Sequence, residues 1–365
     1  MKDDFIIVGA GLFGATFAYL AKQDGYKVRV IDKRPHIAGN CFTEKQHGID
    51  VHTYGPHIFH TNNLKVWEFV NKFTKFNNYK HTGKVAFNDK IFSFPVNLLT
   101  LHQLFDVNTP AEARKYIDSV RVKDIDPEAN FESFVLFHLG EEMYKTFFYG
   151  YTKKQWGTDP KNLPASIIKR LPIRYNFDDN YFTTSNYQGI PVEGYTKMVE
   201  NMLTGVPVDL NTDFLQIKRL CERTSHKIVY TGAIDELHKY KFGQLQWRSL
   251  RFETNKLDTP DYQGTSLVNY TSEQVEYTRI CEHKHFNPVD TKYTIITREY
   301  PDSWSVGKEK YYPVNTSTNN ELHKKYVDAL DKQYILGGRL GSYLYYDMHQ
   351  IIAQAMSKYE SCNKQ

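Results

Sequence analysis

Three glycines, Gly9, Gly11 and Gly14, form a G-x-G-x-x-G run between an apolar stretch, Phe5-Ile6-Ile7-Val8, and a helix-like segment reaching Asp24-Gly25. The first permits a sharp turn, the second lets a pyrophosphate approach the backbone, and the third lets helix and strand pack closely. The positive end of the helix then faces the phosphates. Glycine turns are common, so the pattern alone says little. Asp32, 18 residues past Gly14 at the end of the strand-like run Val28-Arg29-Val30-Ile31, adds a carboxylate placed to accept from an adenosine ribose. With Phe13 inside the turn and Lys33 beyond it, these residues predict a dinucleotide site, open to NAD or FAD.

The next groups are polar side chains set in apolar frames. In Tyr54-Gly55-Pro56-His57-Ile58-Phe59-His60-Thr61, His57 and His60 would pair as metal ligands on a helix. Pro56 disfavours a helix there, and no further carboxylate ligand lies nearby, so a cofactor-facing loop is the better reading and no metal is expected. Phe147 to Gly157 is a run of rings that Lys153, Lys154 and Gln155 break as a buried helix. Flat rings beside polar groups suit a uracil base and a sugar face. Arg170, Arg174 and Arg279 follow, with Tyr181, Tyr311, Tyr312 and the run Tyr343-Leu344-Tyr345-Tyr346-Asp347-Met348. A lone surface arginine ordinarily sits in a solvated ion pair. A pair of them among several tyrosine hydroxyls is what a diphosphate needs.

Those residues must be positioned by a chain of 365 residues, long enough for two or three domains. A net charge of +4 is too small to imply a nucleic-acid binder, no basic block of five or more appears, and no nucleic-acid partner is expected. Aromatics, at 15%, are the unusual component. Cys41, Cys221, Cys281 and Cys362 are scattered, which argues against a zinc site or a disulfide framework. Phe5 to Ala21 lacks the basic flank of a signal peptide, and no run is long enough to span a membrane. A cytoplasmic location is expected.

Strand, glycine turn, helix and strand make the opening of a parallel α/β sheet. Phe73 to Pro95 reads as hairpins turning at Asn88-Asp89, and Leu98 to Lys169 as mainly helical, with helices from Thr109-Pro110, over Phe131 to Leu139 and over Glu141 to Tyr149. Lys227 to Tyr230 is strand-like, Lys241 to Pro313 alternates as in an antiparallel sheet, and helix, strand, helix close the chain.

Beyond Asp32, the segment ending Gly39-Asn40 resembles the second phosphate-contacting segment of large FAD-dependent oxidoreductases and amine oxidases. Ala38 stands where such flavoproteins often carry glycine. Tyr230-Thr231-Gly232 is similar to their later glycine-bearing strand, and Ile335 to Arg339, with Gly338, to the turn that brings backbone amides to the flavin. Three segments in order favour FAD. Gly55 to Thr61, Gly150 to Gly157, Leu163 to Pro172, Tyr277 to Lys284, Tyr311 to Pro313 and Gly337 to Met348 resemble the prokaryotic UDP-galactopyranose mutases, in order from residue 3 to about 357.

The resemblance implies a Rossmann-like FAD-binding domain (1–78, 192–237 and 327–365) with an inserted helical bundle (98–170) and an inserted antiparallel β-sheet domain (79–97, 171–191 and 238–326). Arg170, on a mobile loop, and Arg279 would bind the diphosphate of UDP-galactose, with Tyr181, Tyr311 and Tyr345 donating to it. Tyr151 with Phe147 would hold the uracil, Thr152 would contact the nucleotide, and Trp156 would line the sugar pocket. His60 would approach the reduced flavin, Asp347 would orient the network, and His57, Gly338, Arg339 and Met348 would join the cofactor site. The implied reaction interconverts UDP-galactopyranose and UDP-galactofuranose. N5 of reduced FAD displaces UDP, the sugar opens through an iminium adduct, and it recloses before UDP returns. A homodimer and an external flavin reductant go with the family. Rival readings are an amine oxidase-like flavoenzyme, which needs no arginine pair, and a non-catalytic nucleotide-sugar-binding flavoprotein.

Overall fold

Phe5 to Val8 lie in the strand Asp3–Val8 of a computed structural model, which describes residues 3–168 and 173–363. This strand is central in a five-stranded parallel sheet ordered Tyr334–Leu336, Ser225–Tyr230, Asp3–Val8, Val28–Ile31, Val208–Asp209. Ile6, Ile7, Val30, Ile228 and Val229 are all buried, because helices cover both faces of such a sheet and a continuous apolar run is required. Strand order reverses at the first strand, so the glycine turn sits where such sheets bind ligands. The helix Leu12–Gln23 that follows buries eight residues, Gly14 among them. A Cβ on Gly14 would come 2.0 Å from the Gly9 carbonyl oxygen. Only glycine allows that approach.

The described chain falls into two compact units. The first comprises Met1–Tyr79, Thr184–Ser249 and Trp304–Gln365 and holds the parallel sheet. It also holds the small antiparallel pair Phe59–Thr61 with Tyr187–Gly189, and the start of the strand Trp247–Leu257, paired there with Tyr312–Pro313. The second comprises Lys80–Thr183 and Leu250–Ser303. Its sheet runs Thr294–Ser303, Arg279–Glu282, Leu267–Tyr270, Gly83–Phe87, Lys90–Phe94, antiparallel except for the parallel pair Leu267–Tyr270 with Gly83–Phe87. The hairpin turns at Asn88 and Asp89, with φ of 46° and 62°, the left-handed pair that matches strand twist. Helices and hairpin share one core, in which Val85, Phe92 and Phe94 pack with Leu101, Ile117, Phe131, Val135 and Phe147. That common core is why the helical stretch and the strands cluster together.

The stretch read as mainly helical continues past Tyr149: α-helix Glu141–Met143, a π-helical segment Tyr144–Tyr149 and α-helix Gly150–Trp156 follow one another, with Lys153, Lys154 and Gln155 only partly buried. A helix beside a core buries one stripe and can carry lysines on the rest. Gly157, at φ 67°, ends it.

Candidate functional site

In the first unit the site is built from backbone turns. Gly9 has φ +105°, and a Cβ there would strike the Thr231 hydroxyl at 2.0 Å. Gly39 has φ +55° and lies so close to Gly11 that a Cβ would come 3.1 Å from the Gly11 Cα. Two glycine-bearing turns therefore meet backbone to backbone. Ala38, just before, adopts φ 72°, the left-handed conformation that glycine takes without strain. Asp32, at the end of its strand, accepts from the amides of Ala10 at 2.7 Å and Arg34 at 2.9 Å, tying the carboxylate to both turns. Arg34 bridges Asn40 and Glu309, 2.9 and 2.8 Å away, while Lys33 is exposed. The third turn rests on Phe13, whose buried ring lies where a Gly337 Cβ would be, 1.9 Å from it. Phe13 thus braces this floor with its ring. The Gly338 amide donates to Gln354 Oε1 at 3.0 Å.

Around these turns lie the histidines, the arginine and the tyrosines. His57 Nδ1 donates to the Gly55 carbonyl at 2.8 Å, and burial pulls its imidazolium down to about 4, so the ring is neutral. His60 sits on the short strand Phe59–Thr61, with Nδ1 3.0 Å from Ser185 Oγ and Nε2 3.7 Å from Asp347 Oδ2. Burial outweighs the Asp347 charge and brings His60 to about 4. The fold thereby supplies the carboxylate that the sequence did not place beside His60, and His349 completes a group whose ligand atoms all lie within 4.8 Å of one another. Arg339 donates to the carbonyls of Tyr311 and Tyr346 at 3.3 and 2.7 Å and lies 4.8 Å from the Tyr345 ring centre. Tyr312 stacks on Tyr345, which is half-exposed, and Met348 opens the last helix, Met348–Asn363. Tyr311 is buried.

The second unit holds the remaining residues. Arg279 opens the strand Arg279–Glu282 opposite Glu299 in register. Its Nε lies 3.2 Å from Glu299 Oε1, and its Nη2 donates to Tyr151 Oη at 3.0 Å. Glu299 is almost fully buried; desolvation raises its carboxyl, and the neighbouring guanidinium draws it back. Tyr151, Thr152 and Trp156 share the helix Gly150–Trp156, with Thr152 buried. Phe147 is a core residue, 3% exposed, packed on Phe92 and Phe94. Tyr181 rests 5.3 Å from the ring of His81. Arg174 donates to the carbonyls of Asp178 and Asn180 at 3.0 and 2.7 Å, so it shapes the loop bearing Tyr181. Arg170 lies outside the described residues. Sequence reasoning missed Ser185, His349 and Glu299. His349 stands two residues past Asp347, a signal that was available; Glu299 and Ser185 are placed only by strand pairing.

Residues 7–73 match the NAD(P)-binding Rossmann-like domain, so the glycine cradle defines a dinucleotide-binding α/β protein. Residues 146–345 match the family model for UDP-galactopyranose mutase. A dTDP-fucopyranose mutase of Escherichia coli is 41% identical over 96% of this chain and 96% of its own. A probable UDP-galactopyranose mutase of Klebsiella pneumoniae is 40% identical over 97% of this chain and 93% of its own. The chain belongs to the UDP-galactopyranose mutase family and is an isomerase. A crystal structure of reduced UDP-galactopyranose mutase shares the fold, with a TM-score of 0.79 at 13% identity over 100% of this chain and 94% of that one. Family and Rossmann-like domain together imply a flavin cofactor. No described helix is long and apolar enough to cross a membrane.

Proposed function

We propose that the enzyme interconverts the pyranose and furanose forms of UDP-galactose, with reduced FAD as its cofactor. The observation that carries this reading is the setting of Arg279, held by Tyr151 and a buried Glu299 beside an aromatic helix. A guanidinium fixed in that way suits a diphosphate that must leave and then return.

The residues of the first unit fit FAD. The helix Leu12–Gln23 starts at Gly11 without a side-chain cap, leaving its first amides for a pyrophosphate. Asp32 keeps acceptor capacity for ribose hydroxyls beyond the two amides it serves. Gly9, Gly11, Gly14, Gly39 and Asn40 would hold the dinucleotide, and His57, Gly338, Arg339 and Met348 its isoalloxazine half. When bound and reduced, the flavin supplies the nucleophile at N5. The chain does the rest. Arg279 and Arg170 neutralise the departing diphosphate and retain it, and Tyr181, Tyr311 and Tyr345 donate hydrogen bonds to it. Tyr151 and Thr152 hold the base, Phe147 backs that helix, and Trp156 lines the sugar site. Neutral His60, aligned by Asp347 and Ser185, orients the reacting sugar.

The identity to the dTDP-fucopyranose mutase supports a second reading, in which the sugar is dTDP-fucose. Dithionite-reduced protein incubated separately with UDP-galactofuranose and dTDP-fucopyranose, followed by chromatography, separates the two. Pyranose product from the first substrate is expected. Turnover of dTDP-fucose alone reassigns the substrate, and stoichiometric loss of reductant with no ring isomer defeats both readings.

A further inference from the structure

Lys154 is one of the polar residues that interrupt the aromatic run, and the structure gives it four backbone partners. Its Nζ shares three N–H donors among the carbonyl oxygens of Tyr270, Ser272, Val275 and Tyr277, 2.9, 2.9, 2.8 and 3.0 Å away. These carbonyls belong to the connection between the strands Leu267–Tyr270 and Arg279–Glu282, so Lys154 gathers the loop that delivers Arg279. Four carbonyl dipoles pointing at one spot repel one another unless a cation sits there, and a buried unsatisfied carbonyl is costly. The ammonium acts as an internal cation for this loop.

The same helix docks on the same loop at three further points. Thr271 Oγ1 donates to the Thr146 carbonyl at 2.6 Å, and Lys153 pairs with Glu273 at 2.7 Å. A Cβ on Gly150 would come 2.2 Å from the Thr271 carbonyl oxygen, so helix and loop are in backbone contact. Tyr151, three residues before Lys154 and on the same helical face, receives the Arg279 guanidinium. One turn of helix therefore controls both ends of Arg279: Lys154 sets the backbone that carries it, and Tyr151 sets its head group.

We propose that Lys154 is a positioning residue for substrate binding, holding the Tyr270–Tyr277 loop so that Arg279 meets the diphosphate in a fixed pose. This rests on the reading of Arg279 as a diphosphate ligand. Burial draws the Lys154 ammonium down to about 8, the direction expected for a cation enclosed by protein yet still charged at neutral pH.

The test is a double-mutant cycle on the reduced full-length holoenzyme, with UDP as the probe. Lys154→Met should raise the UDP Kd and the substrate KM about tenfold while kcat falls less than about threefold, with FAD content unchanged. In an Arg279→Lys background the same change should add less than about twofold, because its effect passes through Arg279. A purely structural role would instead add its full effect in both backgrounds. Lys154→Gln, which keeps two donors, is measured in the same way should the methionine variant not accumulate. If Arg279→Lys weakens UDP binding but neither Lys154 variant does, or if the effects simply add, the positioning role is overturned and the diphosphate assignment stands. If Arg279→Lys leaves UDP binding unchanged, the assignment itself fails and the proposal with it.

Discussion

Among single residues, Arg279 is the one on which the proposed function most depends. Its guanidinium is prepositioned by Glu299 and Tyr151, so truncation removes a fixed charge rather than a mobile one. Arg279→Ala and Arg170→Ala are each expected to lower kcat/KM by about a hundredfold or more while the flavin spectrum of the bound cofactor is retained. Steady-state assays with matched FAD content check this, and wild-type turnover in either variant would move the diphosphate elsewhere. His60 carries a pH prediction. Burial holds its imidazolium down to about 4, below the ordinary 6.5, so the ring gains a proton only as pH falls through that lower value. A kcat profile should show no histidine limb between about pH 5 and 7. A limb near 6.5 that disappears in His60→Asn would contradict the neutral ring.

At the scale of elements, the glycine turn is the most constrained piece. Gly14→Ala would place a methyl 2.0 Å from the Gly9 carbonyl, against backbone that cannot yield without moving the whole turn. The expected outcome is loss of FAD from the purified protein and destabilisation of about 2–4 kcal/mol, read from cofactor content and a urea midpoint. A variant that retains full FAD would show that the turn tolerates widening. Several elements were legible because their signals are local. Thr109-Pro110 opens the helix Pro110–Val120 through a capping box with Glu112, and Asn88-Asp89 turns its hairpin. The four carbonyls that receive Lys154 were not legible, since they converge only when the helix packs on the Tyr270–Tyr277 loop.

Across the whole molecule, buried neutral histidines link stability to pH. His81 and His283 are almost entirely enclosed, and burial pushes both down to about 3 from the ordinary 6.5. For His81 the charges of Arg279 and Lys84 act in the same direction. Folded protein keeps these rings neutral where the unfolded chain protonates them. Their contribution is therefore complete above about pH 6.5 and falls as pH drops towards about 3, by up to about 1.4 kcal/mol per pH unit for each ring. Urea midpoints should decline steadily from pH 7 to pH 4, and a flat series would refute this linkage. The dinucleotide cradle, the family and the residue types of the candidate site are legible in the order of amino acids alone. Glycine turns, a strand-end carboxylate and short motifs are local patterns that survive without coordinates. Which groups stand together follows from the folded arrangement. Strand register brings Glu299 to Arg279, strand pairing brings Ser185 to His60, and packing of one helix on one loop turns Lys154 inward. Each of those contacts joins residues distant in the chain, and their geometry exists only once the fold has closed.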